Sequence, residues 1–411
     1  MRRVVVTGLG TVNALGNEVA TAWENVIAGK HGITTITKFD LTGFRATVAA
    51  EVKDFDPTLY MDRQEVRRYD LAIQYAVAAA DQAGKDSGIE GTIDPKRLAC
   101  YFSSGIGGLS TMAAEEQKFL EKGPRRISPF TITNMMGNGS AGTVAIKHGC
   151  KGACLSIATA CASSNNAIGE AYRSIKDGYS DAAFAGGTEA AIVPLGVAAF
   201  INCQALSCSA DPDRASIPFD KERNGFVMGE GASCLVLEEY EHAKARGAKI
   251  YAEICGYGVT CDAYHITAPD PNGEGGGDAI AQALEQAGGY QDASKVYINA
   301  HGTSTPMNDK IETLAIKRAF GEEDAKKLMV SSTKGAVGHM LGAAGATEAV
   351  FSVKTLETGI IPPTVGYQVP DPECDLDVVP NTAREAELEL VLSSSLGFGG
   401  HNACVAFRKA E

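Results

Sequence analysis

The 411-residue sequence predicts an α/β fold made of two related halves, and three observations carry that expectation. Short β-rich runs alternate with Ala-rich stretches of helical spacing along the chain, the pattern of layered strands and helices. Glycine is abundant, 46 of 411 residues or about 11%, against a usual ~7%. Aromatics make up only 7%, with a single Trp, so strands and helices should approach closely over small side chains. Lastly, the chain echoes itself. Val6-Thr7-Gly8-Leu9-Gly10 reappears as Ile254-Cys255-Gly256-Tyr257-Gly258, and residues 170–176 reappear as 348–354 at an offset of 178. The echoes divide the chain into residues 1–250 and 251–411. Carried backward, the offset sets Cys161 on His339, so these two residues are expected to begin equivalent helices, with a site where the helix starts meet.

The elements follow in order. Residues 3–7 form a short apolar run ahead of a glycine turn and read as the first strand. Residues 70–83 have helical spacing, and 98–103 and 153–158 are strand-like. The helix over 165–176 lines up Ala167, Ile168, Ala171 and Ile175 on one face, and Lys176-Asp177-Gly178 supplies its stop. Strands follow at 182–185 and 232–238, and the second half opens with one at 250–256. Next come a helix at 278–286, a strand at 295–299, a helix at 309–320 and a strand at 329–332. A long Ala/Gly-rich helix over 343–356 and closing strands at 389–394 and 403–408 complete the chain. Several strands are nearly continuously apolar, as strands covered on both faces are.

Composition narrows the function. The net charge of −13 and pI near 5.1 disfavour a general nucleic-acid or anionic-membrane binder, while leaving room for a local basic patch. No stretch reaches the ~18 uninterrupted apolar residues of a membrane span. The apolar run after Arg2-Arg3 is too short for a signal segment, so a cytoplasmic location is expected. The 11 cysteines form no CxxC pair and read as reduced, mostly buried small hydrophobes. Cys150 and Cys154 have no His or Cys nearby to complete a metal set.

Four segments carry chemistry. In 156–164, Cys161 sits in a sharp strand-to-helix turn, where free N–H groups and the helix dipole favour a thiolate; it reads as an activated nucleophile or as one more buried cysteine. In 299–306, His301 ends a strand beside the hydroxyls of Thr303 and Thr305, or simply caps a turn. In 331–339, a strand ends in a glycine-rich turn bearing Lys334 and His339. A helix N-terminus there keeps that His neutral. In 393–402, glycines around Phe398 allow the backbone to present N–H groups, or make a hairpin between the last strands.

Together these segments resemble the β-ketoacyl-acyl carrier protein synthases of the thiolase superfamily, over the whole chain. Thr159-Ala160-Cys161, His301-Gly302-Thr303 with Thr305-Pro306, Lys334 with Gly338-His339, and Gly397-Phe398-Gly399-Gly400 form the specific set. Val6 to Gly10, Pro218-Phe219-Asp220-Lys221, Gly225 to Gly231 and Asp262-Ala263-Tyr264-His265 extend it. The match is nearest the elongating members. The resemblance implies a thiolase-like fold, two duplicated α/β halves in a five-layered αβαβα sandwich. It implies decarboxylative condensation of acyl-carrier with malonyl-carrier to a 3-oxoacyl-carrier in type II fatty-acid biosynthesis, with no metal or other cofactor. It makes Cys161 the acyl acceptor and assigns decarboxylation and enolate stabilisation to His301 and His339. Lys334 and Glu312 become an organising ion pair, and the Phe398 N–H joins that of Cys161 as the oxyanion hole. Thr303, Thr305 and Gly399 fall at substrate-binding positions along the pantetheine arm and gating loop, Ile106 and Phe200 at acyl-pocket positions. Two departures stand out: Ser394 and Leu396 replace the family's usual Asn and Phe.

The implied partners are an acidic acyl carrier protein and a second copy of the chain. Arg67 and Arg68, with Arg63 beside them, match docking positions, and Arg125 with Arg126 is a second candidate patch. Other readings remain at this point. Gly8-Leu9-Gly10 is a partial dinucleotide-binding motif lacking its third glycine. A thiolase would use a second Cys where this chain has His301 and His339, and a non-catalytic chain-length factor would lack Cys161. A specialised polyketide or polyene synthase would use the same residues.

Overall fold

The computed structural model describes residues 2–410. Ten strands form its main sheet: β1 (Val4–Val12), β2 (Leu98–Ser103), β3 (Cys154–Leu155), β4 (Ala182–Glu189), β5 (Gly231–Glu239), β6 (Ala252–Cys261), β7 (Val296–Asn299), β8 (Met329–Ser331), β9 (Leu390–Gly397) and β10 (His401–Arg408). Six helices matter most to the site: α1 (Leu71–Ser87), α2 (Gly139–His148), α3 (Ser163–Lys176), α4 (Glu274–Ala287), α5 (Pro306–Phe320) and α6 (Ala344–Thr358).

The strand order is β8-β7-β9-β10-β6-β1-β5-β4-β2-β3, which reads as two five-stranded halves in mirrored order. In each half the first strand pairs antiparallel with the fifth in sequence, as β1 does with β5 and β6 with β10. The remaining strands repeat the same directions, β5–β4 and β10–β9 antiparallel, then β4–β2–β3 and β9–β7–β8 parallel. An antiparallel contact between Val4–Val6 of β1 and Ala252–Ile254 of β6 joins the halves.

Strand alternation sorts the side chains into layers. Ala99, Tyr101, Leu235, Leu237, Tyr297, Val391 and Val405 point inward onto α3 and α6, which lie between the two half-sheets. Their strand neighbours Leu98, Cys100 and Phe102 face α1 and α2, and Val296, Ile298 and Leu392 face α4 and α5. The result is the α-β-α-β-α stack. α3 and α6 are buried along most of their length, and small residues (Ala, Gly, Ser, Thr) make up about half of them.

The repeated glycines belong to this packing. A Cβ on Gly8 or Gly10 would lie 2.2 or 2.0 Å from carbonyl oxygens of α1, and one on Gly256 or Gly258 would lie 2.1 or 1.8 Å from those of α4. Both pairs let an outer helix press onto its strand, and this explains Gly8-Leu9-Gly10 without a dinucleotide. The strand expected over 153–158 is pared to Cys154–Leu155, because β3 is the sheet's outermost strand and pairs only with Cys100 and Tyr101 of β2. The cysteines are all free and mostly buried, as expected, although Cys154, Cys203, Cys208 and Cys261 are exposed.

Candidate active site

Ala160 has φ +50°, the left-handed region that a Cβ disfavours. That residue turns the chain into one 3-10 turn, Ala160–Ala162, from which α3 continues. The Thr159 N–H donates to Ser163 Oγ (2.9 Å), whose hydroxyl donates to Ala160 O (2.6 Å), locking the turn. Cys161 is held half-buried at its tip. Burial pushes its thiol up to about 12, opposed by the Lys334 charge and the Phe398 N–H. Desolvation thus outweighs the helix N-terminus, and the resting group is a thiol rather than the expected thiolate.

The second half repeats the turn. Leu341 has φ +49°, the 3-10 turn Leu341–Ala343 follows, and α6 begins at Ala344. Gly178 and Gly359, both at positive φ, end the two helices. These pairs are 181 residues apart, so the counterpart of Cys161 is Gly342, not His339. The echo at 178 is three residues out of register. Such a slip is close to one helical turn of ~3.6 residues, which preserves the apparent pattern.

His301 stands two residues beyond the end of β7. Its N–H and that of Gly302 donate to the two oxygens of Glu312, each at 2.7 Å, and the Ser394 hydroxyl adds a third bond at 2.8 Å. His339 follows the short helix Lys334–Val337 and is pinned through its backbone to Val227 O (2.7 Å). The two imidazoles stand edge to face, centroids 5.2 Å apart, with Phe226 against the far side of His339 at 5.0 Å. Burial, and after it the Lys334 charge, holds both well below the usual histidine range, so both are neutral. For His339 this cause replaces the expected helix dipole, since α6 starts five residues later.

Lys334 corrects one expectation. Its Nζ pairs with Glu348 of α6, not with Glu312, and both side chains are almost fully enclosed (1% and 2% exposed). Glu312 is saturated by the His301 turn and Ser394 and shapes that backbone instead; burial pushes its carboxyl up to about 7. Glu348 is marked in the local sequence only as an acid among the small residues that open α6. Lys334 Nζ also lies 3.4 Å from His301 Nδ1. An ammonium can only donate, so Nδ1 accepts and the ring proton resides on Nε2.

Cys161, His301 and His339 present Sγ and ring-nitrogen atoms within 4.8 Å of one another. The spacing would suit a soft metal, but the Lys334 ammonium beside it opposes a cation. The three residues line a cavity of about 390 Å³ together with Thr303, Thr305, Phe200, Phe226 and Phe398. Thr303 and Thr305 share a hydroxyl bond of 3.0 Å, and Thr305 also caps α5. Gly399 (φ +89°) lets the loop double back, its N–H donating to Ile266 O at 2.7 Å. Ile106 is 41% exposed and does not line this cavity. Leu396 does, and Ser394 bonds Glu312, so neither departure disturbs the cluster. Arg63, Arg67, Arg68, Arg125 and Arg126 are all exposed, and Arg68 stacks over Phe130, joining the two basic segments.

The "Beta-ketoacyl synthase, N-terminal domain" family matches residues 1–243, and the corresponding C-terminal domain matches 251–368. A 3-oxoacyl-[acyl-carrier-protein] synthase 2 from Synechocystis sp. is 48% identical over 100% of this chain and 99% of its own. A β-ketoacyl synthase structure from Burkholderia phymatum superposes with TM-score 0.92 at 35% identity, covering 100% of both chains. A type II polyketide ketosynthase, solved in complex with its acyl-carrier protein, gives TM-score 0.90 at 34% identity over 100% of both. With its two domains matched in order and its thiol–imidazole cluster assembled between the two halves, this chain belongs to the β-ketoacyl synthase family.

Proposed function

We propose that this chain is an elongating condensing enzyme, joining acyl-carrier and malonyl-carrier into a 3-oxoacyl-carrier two carbons longer, with release of CO₂ and free carrier. The observation that carries the reading is the Cys161 thiol facing two neutral imidazoles at one end of an apolar-walled cavity. Cys161 Sγ attacks the acyl thioester while its proton passes to the departing carrier thiol. The N–H groups of Cys161 and Phe398 hold the developing oxyanion. Malonyl-carrier then enters past Thr303 and Thr305. Loss of CO₂ leaves an enolate, which needs hydrogen-bond donors rather than a strong base. His301 offers Nε2–H, and His339 stands at right angles to it. The enolate carbon attacks the acyl-cysteine, the Cys161 sulfur leaves, and one proton restores the thiol. No step is a net oxidation or reduction, so the chemistry calls for no redox cofactor.

Identities near 48% to a fatty-acid enzyme, against 34% to a polyketide ketosynthase, favour fatty-acid elongation over a specialised pathway. The acidic carrier docks on the exposed arginines, which form no ion pair among the described residues. A second copy of the chain covers the open edge at β3, where Ile132, Met136, Ile146 and Leu155 are exposed. Among the described residues no helix is long and apolar enough to cross a membrane. The direct test is intact mass after incubation with acyl-carrier: the chain gains the acyl mass and Cys161→Ala does not. Acylation persisting in that variant refutes the nucleophile.

A further inference from the structure

Outside this machinery lies a fully buried acid, Glu189, at the end of β4. It accepts bonds from Ser104 Oγ (2.8 Å), Gly105 N (2.9 Å) and Ile106 N (3.4 Å) in the turn after β2, and from Gly342 N (3.0 Å) in the other half. Among the described residues none of these partners is a cation. Gly342 occupies the place in the second half that Cys161 occupies in the first. The approach leaves no room to spare: a Cβ on Gly105 would meet Glu189 Oε2 at 2.9 Å and Ala160 O, beside Cys161, at 3.4 Å. A Cβ on Gly342 would meet Gly105 N at 2.1 Å.

We propose that Glu189 is a positioning residue for the condensing reaction: it clamps the Ser104–Ile106 turn to the start of α6, and its negative charge suppresses ionisation of the neighbouring Cys161 thiol. The inference rests on Cys161 being the acyl acceptor. Burial is the main reason the thiol is held up; Lys334 pulls it down, and Glu189 and Glu348 add to the rise. The neutral imidazoles of His301 and His339 also face it, within 4.8 Å. Burial pushes Glu189 itself up to about 7, so it is charged in the alkaline range where the thiol ionises.

Glu189→Gln keeps an acceptor oxygen for the Gly105 and Gly342 N–H groups and removes the charge. Glu189→Ala removes both. The readout is the pH profile of Cys161 alkylation by iodoacetamide, followed by intact mass with Cys161→Ala as the blank. In Glu189→Gln the midpoint falls; a fall of about one unit makes alkylation below the midpoint about tenfold faster. The same variant keeps the KM for acyl-carrier near wild type, while Glu189→Ala raises it at least several-fold. A merely structural glutamate leaves the midpoint of Glu189→Gln unchanged, and that result overturns the inference even if Glu189→Ala does not fold. Alkylation needs no carrier, so failure here is separable from failure of the condensing reading, which shows as absent acylation in the unmodified chain.

Discussion

The Lys334–Glu348 pair supports a quantitative prediction. Both side chains are enclosed, so the interaction needs no discount for solvent; Lys334 bonds Glu348 Oε1, and Oε2 has no partner among the described residues. At an effective dielectric of about 20, unit charges in contact attract by about 4 kcal/mol. Removing one member of such a pair costs about 3–5 kcal/mol, because the other charge stays buried. Glu348→Gln strands the Lys334 ammonium and Lys334→Met strands Glu348, so each should lower stability by that amount at neutral pH. The double variant should be less destabilised than the two singles combined, by about 2–3 kcal/mol of coupling. Chemical denaturation of all four proteins measures it. The pH dependence has a definite sign. Burial raises the folded-state Glu348 carboxyl above its ordinary range, and Lys334 opposes that rise. Without Lys334 the folded chain holds this proton to still higher pH. The stability gap between wild type and Lys334→Met therefore widens as pH rises through the raised range in which wild-type Glu348 ionises, and narrows again as pH falls below it, where both folded chains hold the proton. Additive singles, or coupling of Lys334→Met to Glu312→Gln instead, would refute the pairing.

Other expectations are simpler to read. His339→Ala removes one of two groups facing the enolate and should slow malonyl-carrier decarboxylation by about 10²–10³-fold while acyl loading of Cys161 falls less; equal losses contradict the division of labour. Arg67→Glu with Arg68→Glu should raise the KM for carrier substrates at low salt and converge with wild type as salt screens the patch; kinetics unchanged at low salt remove these residues from docking. Gly10→Ala drives a Cβ to 2.0 Å from Ala79 O, so α1 must lift from β1 at a cost of about 3 kcal/mol or more; an unchanged melting temperature contradicts the close-packing role.

Much of the site was legible in sequence because its chemistry is local. A strand, a tight turn and a helix start announce where Cys161, His301 and Phe398 stand, and the GxG echo correctly pairs β1 with β6. The α3 face written in Ala167, Ile168, Ala171 and Ile175 is the one that packs in the central layer. Pairing across the fold was not legible. Glu312 and Glu348 are both buried acids on helices that follow site turns, and only the stack shows which one reaches Lys334 and which one bonds the His301 backbone. The helix echo misled for a related reason: periodic helices resemble themselves after a slip of nearly one turn, whereas the strained residues Ala160 and Leu341 mark the true register. Ionisation too is a tertiary property. The helix start at Cys161 argues for a thiolate, but the thiol stays protonated because the surrounding fold desolvates it. Residue types and local turns thus determined which groups can react. Burial and cross-half contacts, which depend on residues more than a hundred positions apart in the chain, such as Glu189 and Gly342, decided their protonation and their partners.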